Sequence, residues 1–152
     1  MDRALVVVDD SERHRELLRE AGELAGGAGA ELVLMTVMSE EEYEEDIEAF
    51  ESIAGVENIG FGSGQVMEVA ENFAQEIADE ELAGIDVEYD IVGAVVDEGE
   101  HADRIIQVAE NRECDHVFVT GRRRSPTGKA IFGDTAQSVI LNFDGRVTVQ
   151  TA

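Results

Sequence analysis

The chain has 152 residues, of which 43% are apolar and 30% charged, a composition that suits one soluble globular domain with its own core. Acidic residues number 35 against 11 basic ones, for a formal net charge of −24. A field of that sign argues against nucleic acid or an anionic membrane as a partner. No apolar run approaches the roughly 18 residues of a membrane span. The N-terminus has no basic, apolar, small-residue leader, and the single cysteine, Cys114, is compatible with a reducing compartment, so a cytoplasmic location is expected.

Ala4 to Val8 is a continuous apolar run closed by Asp9 and Asp10, the pattern of a strand buried on both faces. Ser11 or Asp10 caps the helix that follows. Its apolar positions Leu17, Leu18, Ala21, Leu24 and Ala25 keep the helical period, and Gly26, Gly27 and Gly29 are expected to end it. Leu32 to Met38 predicts a second buried strand.

Residues 39–62 differ from the rest. Eight of the 14 residues from Ser39 to Ser52 are acidic, yet Tyr43, Ile47, Phe50 and Ala54 fall on one face of a helix. A short, very acidic amphipathic helix is expected there, either packed on the body as a solvated helix or serving as a mobile lid or partner surface. Gly55, Gly60, Gly62 and Gly64 predict a flexible connection, and Ser63 a cap for the next helix. That helix carries a stripe of Val66, Val69, Ala70, Phe73 and Ile77.

Val87 to Val96 predicts the third strand. Gly99 opens a helix with Ala102, Ile105, Ile106 and Ala109 on one face. His116 to Thr120 is a short buried strand, and Gly121 to Phe132 a basic loop. Ala136, Val139, Ile140 and Phe143 mark the last helix, and Arg146 to Gln150 the last strand. Strands and helices alternate throughout, which implies a single-domain α/β fold with a five-stranded, doubly wound parallel sheet.

The acidic side chains spread over the whole chain and accompany good apolar periodicity. They read either as a plain solvated surface or, more sharply, as adaptation to high cytoplasmic salt, which screens self-repulsion. Four of the 11 basic residues lie between Arg122 and Lys129 with no acid among them. This island reads either as a loop paired with acids elsewhere or as a local anion site, since guanidinium forks match phosphate oxygens. Gly121 precedes it, and Gly133, Asp134 and Thr135 open the next helix, whose N-terminus offers free N–H groups and a positive dipole end. Ligands of open parallel sheets bind beyond the carboxyl ends of the strands. Asp9 and this loop stand at two such ends.

The opening LVVVDDSE (Leu5 to Glu12), the run GEHADRIIQVAE (Gly99 to Glu110), HVFVTGRRRSPTGKAIFG (His116 to Gly133) and the final strand together resemble the universal stress protein family. The resemblance covers nearly all of residues 1–152 and is weakest over 39–64. It implies a strand order of 3-2-1-4-5 and a site for ATP or a related adenine nucleotide, with magnesium accompanying the phosphates. In nucleotide-binding members the motif after the fourth strand is glycine, two residues, glycine, nine residues, then glycine followed by serine or threonine. Gly121 matches the first glycine and Gly133 the last. Arg124 stands in place of the second, the loop then runs one residue short, and Asp134 replaces the hydroxyl residue, with Thr135 next to it. The resemblance also implies that Asp9 meets the adenine or ribose and that backbone near Val7 and Val37 lines the base pocket. Arg122, Arg123 and Arg124 are expected to replace backbone contacts to phosphate with side-chain ones. Asp134 would face phosphate with a like charge unless a cation lies between them or it merely caps the last helix.

Other chemistry is not supported. Gly128-Lys129 lacks the spacing of a phosphate-binding P-loop, and Ala130 replaces the magnesium-binding hydroxyl. His14, His101 and His116 lie on separate elements, so no metal site is expected. No nucleophile elbow is present, no catalytic residue stands out, and any ATP hydrolysis should be slow. In the family order the strand Arg146 to Gln150 is a sheet edge, which is either covered in a monomer or paired in a homodimer, as the resemblance implies. Two functions follow: a nucleotide-binding stress-response or signalling module, or an interaction protein of the same fold with a vestigial site.

Overall fold

The computed structural model describes residues 1–41, 43–45, 48, 59–97, 99–121 and 133–151, with the backbone alone over 59–65. Five parallel strands form one sheet: β1 (Arg3–Val8), β2 (Glu31–Ser39), β3 (Tyr89–Val96), β4 (His116–Gly121) and β5 (Arg146–Thr151). Their order is β3-β2-β1-β4-β5. Between them, among the described residues, run α1 (Glu12–Ala28), α2 (Ile59–Glu81), α3 (His101–Asn111) and α4 (Asp134–Asn142). The doubly wound α/β architecture and strand order expected from the sequence are present.

The apolar strand runs split by alternation between two cores. Ala4, Val6 and Val8 of β1 point to one face, against Leu17, Leu18, Ala21 and Ala25 of α1 and Ala74, Ile77 and Ala78 of α2. Leu5 points to the other, with Val33, Val117 and Val119, against Ala102, Ile105 and Ile106 of α3 and Val139 of α4. Central strands buried on both faces leave no room for polar side chains, which is why β1 reads as an unbroken apolar run.

Several boundaries differ from the expectations. Ser11, not Asp10, caps α1: its Oγ accepts from His14 N at 3.3 Å. The helix passes through Gly26 and Gly27 and stops at Gly29, in the left-handed conformation at φ 70°. Gly26 serves close packing, because a Cβ there would stand 2.9 Å from the carbonyl oxygen of Asp86. α2 begins at Ile59, so Gly60, Gly62, Ser63 and Gly64 lie inside the helix rather than in a connection or cap. Glycine weakens a helix without forbidding it, and extending an anchored helix costs far less than nucleating one.

The buried face of α2 keeps Val66 and Ile77 of the expected stripe but leaves Val69 and Phe73 outside it. Ala74 and Ala78 are buried, whereas Val69 and Phe73 are 57% and 46% exposed. Leu24 of α1 and Ile140 of α4, also expected inside, are exposed. β3 starts at Tyr89, with Val87 partly buried against the first core just ahead of it. Of the acidic stretch, Glu40, Glu41, Tyr43, Glu44, Glu45 and Glu48 are helical, while Ile47, Phe50, Ala54 and Gly55 lie outside the described residues. Among the described residues no helix is long and apolar enough to cross a membrane.

Candidate nucleotide-binding cleft

Strand order reverses between β1 and β4: the chain builds outward through β2 and β3, then returns to the other side of β1. Connections leaving two adjacent strands in opposite directions open a crevice above their carboxyl ends. A cleft of about 740 Å³ lies there. β1 contributes Val7 and Val8, with Asp9 just beyond its end, β2 Val37 and Ser39, and β4 Val119, Thr120 and Gly121. The first turns of α1, α3 and α4 close it with Arg13 and His14, His101 and Ala102, and Gly133 to Ala136.

Seven residues singled out in the sequence meet in this one cleft: Val7, Asp9, Val37, Gly121, Gly133, Asp134 and Thr135. Arg122, Arg123 and Arg124 lie outside the described residues. Gly133 occupies the N-cap position of α4 at φ 85° and ψ 156°, a region essentially closed to side chains, and among the described residues no side chain caps this helix. The first turn of α4 therefore borders the cleft, together with that of α1. Asp134 is not the cap: it is the first residue of α4, exposed, where its charge opposes the positive dipole end.

At the mouth of β1, Asp9 Oδ1 accepts from Ser11 N at 3.3 Å and so holds the turn into α1. His14 lies 2.7 Å from Ser11 Oγ through Nδ1 and 3.4 Å from Thr120 Oγ1 through Nε2. Burial lowers its pKa; the attraction of Asp9 opposes the shift and Arg13 adds to it. The ring is thus kept neutral, able to donate from one nitrogen and accept at the other.

Arg13, His14 and His101 were not singled out as lining residues from the sequence. A signal for the first two existed. Arg13 and His14 are the second and third residues of α1, and a basic residue at the positive end of a helix runs against the dipole. Such placement needs a local reason: Arg13 Nη2 donates to the main-chain carbonyls of Gly121 and Gln150, and His14 lies against Ser11 Oγ and Thr120 Oγ1. Among the described residues no group of three His, Cys, Asp or Glu could hold a metal ion.

The model of the universal stress protein family matches residues 1–150. Comparison with curated proteins gave no match. Among solved structures, a universal stress protein from Archaeoglobus fulgidus is similar, with 24% identity, 98% of each chain covered and a TM-score of 0.63. A universal stress protein from Archaeoglobus fulgidus in complex with dAMP is 17% identical over 98% of this chain and 97% of that one, with a TM-score of 0.61. A universal stress protein in complex with cAMP is 14% identical over 97% and 95%, with a TM-score of 0.57. By its sequence match over almost its whole length, and in agreement with its fold, the chain belongs to the universal stress protein family.

Proposed function

We propose that this protein is an adenine-nucleotide-binding stress-response or signalling module that works as a cytoplasmic homodimer. The observation that carries the reading is the meeting of two groups around one cleft at the reversal of strand order. Val7, Asp9 and Val37 suit a base and ribose, and Gly121, Gly133 and Thr135 suit phosphates at a helix N-terminus. The dAMP and cAMP complexes of similar structures support adenine as the base. Magnesium would come with the phosphates of ATP, and Asp134 would then face the cation rather than the anion. Any hydrolysis of ATP is expected to be slow. The acidic residues 39–62 belong to the same domain.

The homodimer reading rests on β5. It is an edge of the sheet, Val147 and Val149 are only partly buried, and Leu141 on the neighbouring helix is 72% exposed. An edge with apolar side chains beside it calls for a partner strand. One observation favours the second reading, an interaction protein with a vestigial site acting through its dimer or its acidic stretch: Asp134 is exposed at the helix end where phosphate would sit.

The deciding experiment is purification in molar KCl with magnesium, then denaturation and mass spectrometry of released small molecules, followed by ATP titration at the same salt. High salt matters because 35 acidic residues repel ATP when unscreened. An adenine nucleotide near one per chain, lost when Arg122, Arg123 and Arg124 are all changed to alanine, is the expected result. No binding in either format would leave the interaction-protein reading.

A further inference from the structure

His14 stands where a proton and an anion can meet. It is the third residue of α1, half-buried, and it borders the cleft together with Thr120. Ser11 Oγ accepts from the His14 main-chain N–H at 3.3 Å and lies 2.7 Å from Nδ1. The Ser11 hydroxyl hydrogen is left to donate to Nδ1, which puts the hydrogen of the neutral ring on Nε2, toward Thr120 Oγ1 at 3.4 Å. Both ring partners are hydroxyls, and a hydroxyl can donate or accept by turning one hydrogen. When the ring gains a proton on Nδ1, the Ser11 hydrogen turns away and Oγ accepts from both N and Nδ1. Either protonation state is thus satisfied with no movement of a heavy atom. A carboxylate partner would hold the ring charged; the two hydroxyls leave its state to the surrounding charges.

Among the described residues, the charged and titratable groups that border the same cleft are Asp9 just beyond β1, Arg13 on α1, His101 on α3 and Asp134 on α4. β2 and β4 bring no charged side chain to it. Burial, Arg13 and the positive end of α1 oppose a proton on His14, and the attraction of Asp9 favours one. A multiply charged anion in the cleft adds its attraction to that of Asp9 and tips the ring toward the imidazolium.

We propose that the cleft binds its anionic ligand together with a proton held on His14, so that nucleotide occupancy rises as the surrounding pH falls. The coupling is reciprocal: the nucleotide tightens the hold on the proton by the factor by which the proton tightens the hold on the nucleotide. Acidification and nucleotide then act on the protein as one signal. The inference rests on the reading that the cleft takes an adenine nucleotide, and adds the regulation of that site.

The test is calorimetric titration of the full wild-type chain with ATP and saturating magnesium in molar KCl, from about pH 8 to about pH 6, in two buffers of different ionisation enthalpy. Magnesium keeps the phosphates of ATP deprotonated over this range, so the protons counted are the protein's. Affinity should rise about fivefold or more toward the acidic end, with net proton uptake on binding. NMR titration of the imidazoles, each assigned through its own backbone, should place that proton: with ATP the His14 midpoint rises, and further than that of His101. Binding with a flat affinity and no uptake overturns the inference. So does uptake that raises the His101 midpoint and leaves His14 where it was. A chain that binds no ATP at any of these pH values overturns the nucleotide reading and the inference with it, a result distinct from binding without a proton.

Discussion

The two ends of the sheet handle charge in opposite ways. At the amino ends of the strands a second hollow, of about 520 Å³, is bordered by Arg3, Glu31, Asp90 and Arg112. There the charges answer one another. Arg3 meets Glu31 at 2.8 Å and donates to the Arg112 carbonyl at 2.6 Å, and Arg112 stands 3.6 Å from Asp90. Asp115 accepts from the backbone N–H groups of Asp2 at 2.9 Å and Arg3 at 3.4 Å. At the carboxyl ends, Arg13 is bound to carbonyls, His14 is held neutral, and the N-termini of α1, α3 and α4 line the cleft. Parallel topology explains the contrast. Every crossover helix starts at the carboxyl end of the sheet, so the positive dipole ends gather there and the negative ends gather at the opposite rim. One rim closes on itself with exposed ion pairs, which contribute little to stability; the other gathers helix N-termini around a cleft.

The largest expected effect removes what both rims stand on. Phe118 is fully buried on β4 and stacks on His116 with ring centroids 4.5 Å apart. Phe118→Ala should cost about 3–5 kcal/mol. The urea midpoint should fall without a change in slope, and both rims should be lost in one transition. Separate transitions for the two ends would mean that they do not share a core.

A smaller change separates the rims. Gly133→Ala places a side chain at φ 85° and ψ 156°, a strain of about 1–3 kcal/mol, at the helix end proposed to meet phosphate. ATP affinity by calorimetry should fall by about tenfold or more. Arg112→Ala, at the opposite rim, should leave it unchanged. The reverse pattern would move the ligand to the amino ends.

Much of this contrast is legible in the sequence. Strands buried on both faces must be apolar throughout, so ALVVV and HVFVT announced themselves, and the glycines flanking the basic loop marked the carboxyl rim. What the sequence hid was rotation and distance. Periodicity shows that α2 has an apolar stripe, but Val69 and Phe73 belong to it as readily as Ala74 and Ala78 do. Which of them faces the sheet depends on how closely the helix can approach, and alanines permit the closest approach. Arg13 was hidden for another reason. Its partners are main-chain carbonyls 108 and 137 residues away, and no local pattern encodes a bond to backbone at that separation.

The finest contrast lies between two histidines. His14 lines the cleft, and His116, at the start of β4, bonds Thr148 Oγ1 at 2.7 Å. Burial lowers both pKa values from an ordinary value near 6.5, with Asp9 and Asp115 respectively pulling the other way. Above that ordinary value the rings are neutral in folded and unfolded chains alike. As pH falls through it, the unfolded chain takes up protons first, so their contribution to stability is lost on acidification and restored as pH rises. His14→Gln should therefore show a smaller fall in Tm between neutral and mildly acidic pH than the wild type does. The two rings should part when ligand is added. A phosphate in the cleft favours the charged form of His14 and raises its titration midpoint, while His116 lies toward the other rim and should titrate as before. NMR titration of the two imidazoles with and without ATP reads this directly. Equal shifts in both would mean that ATP acts through the whole fold, and no shift in His14 would mean that the phosphates lie elsewhere.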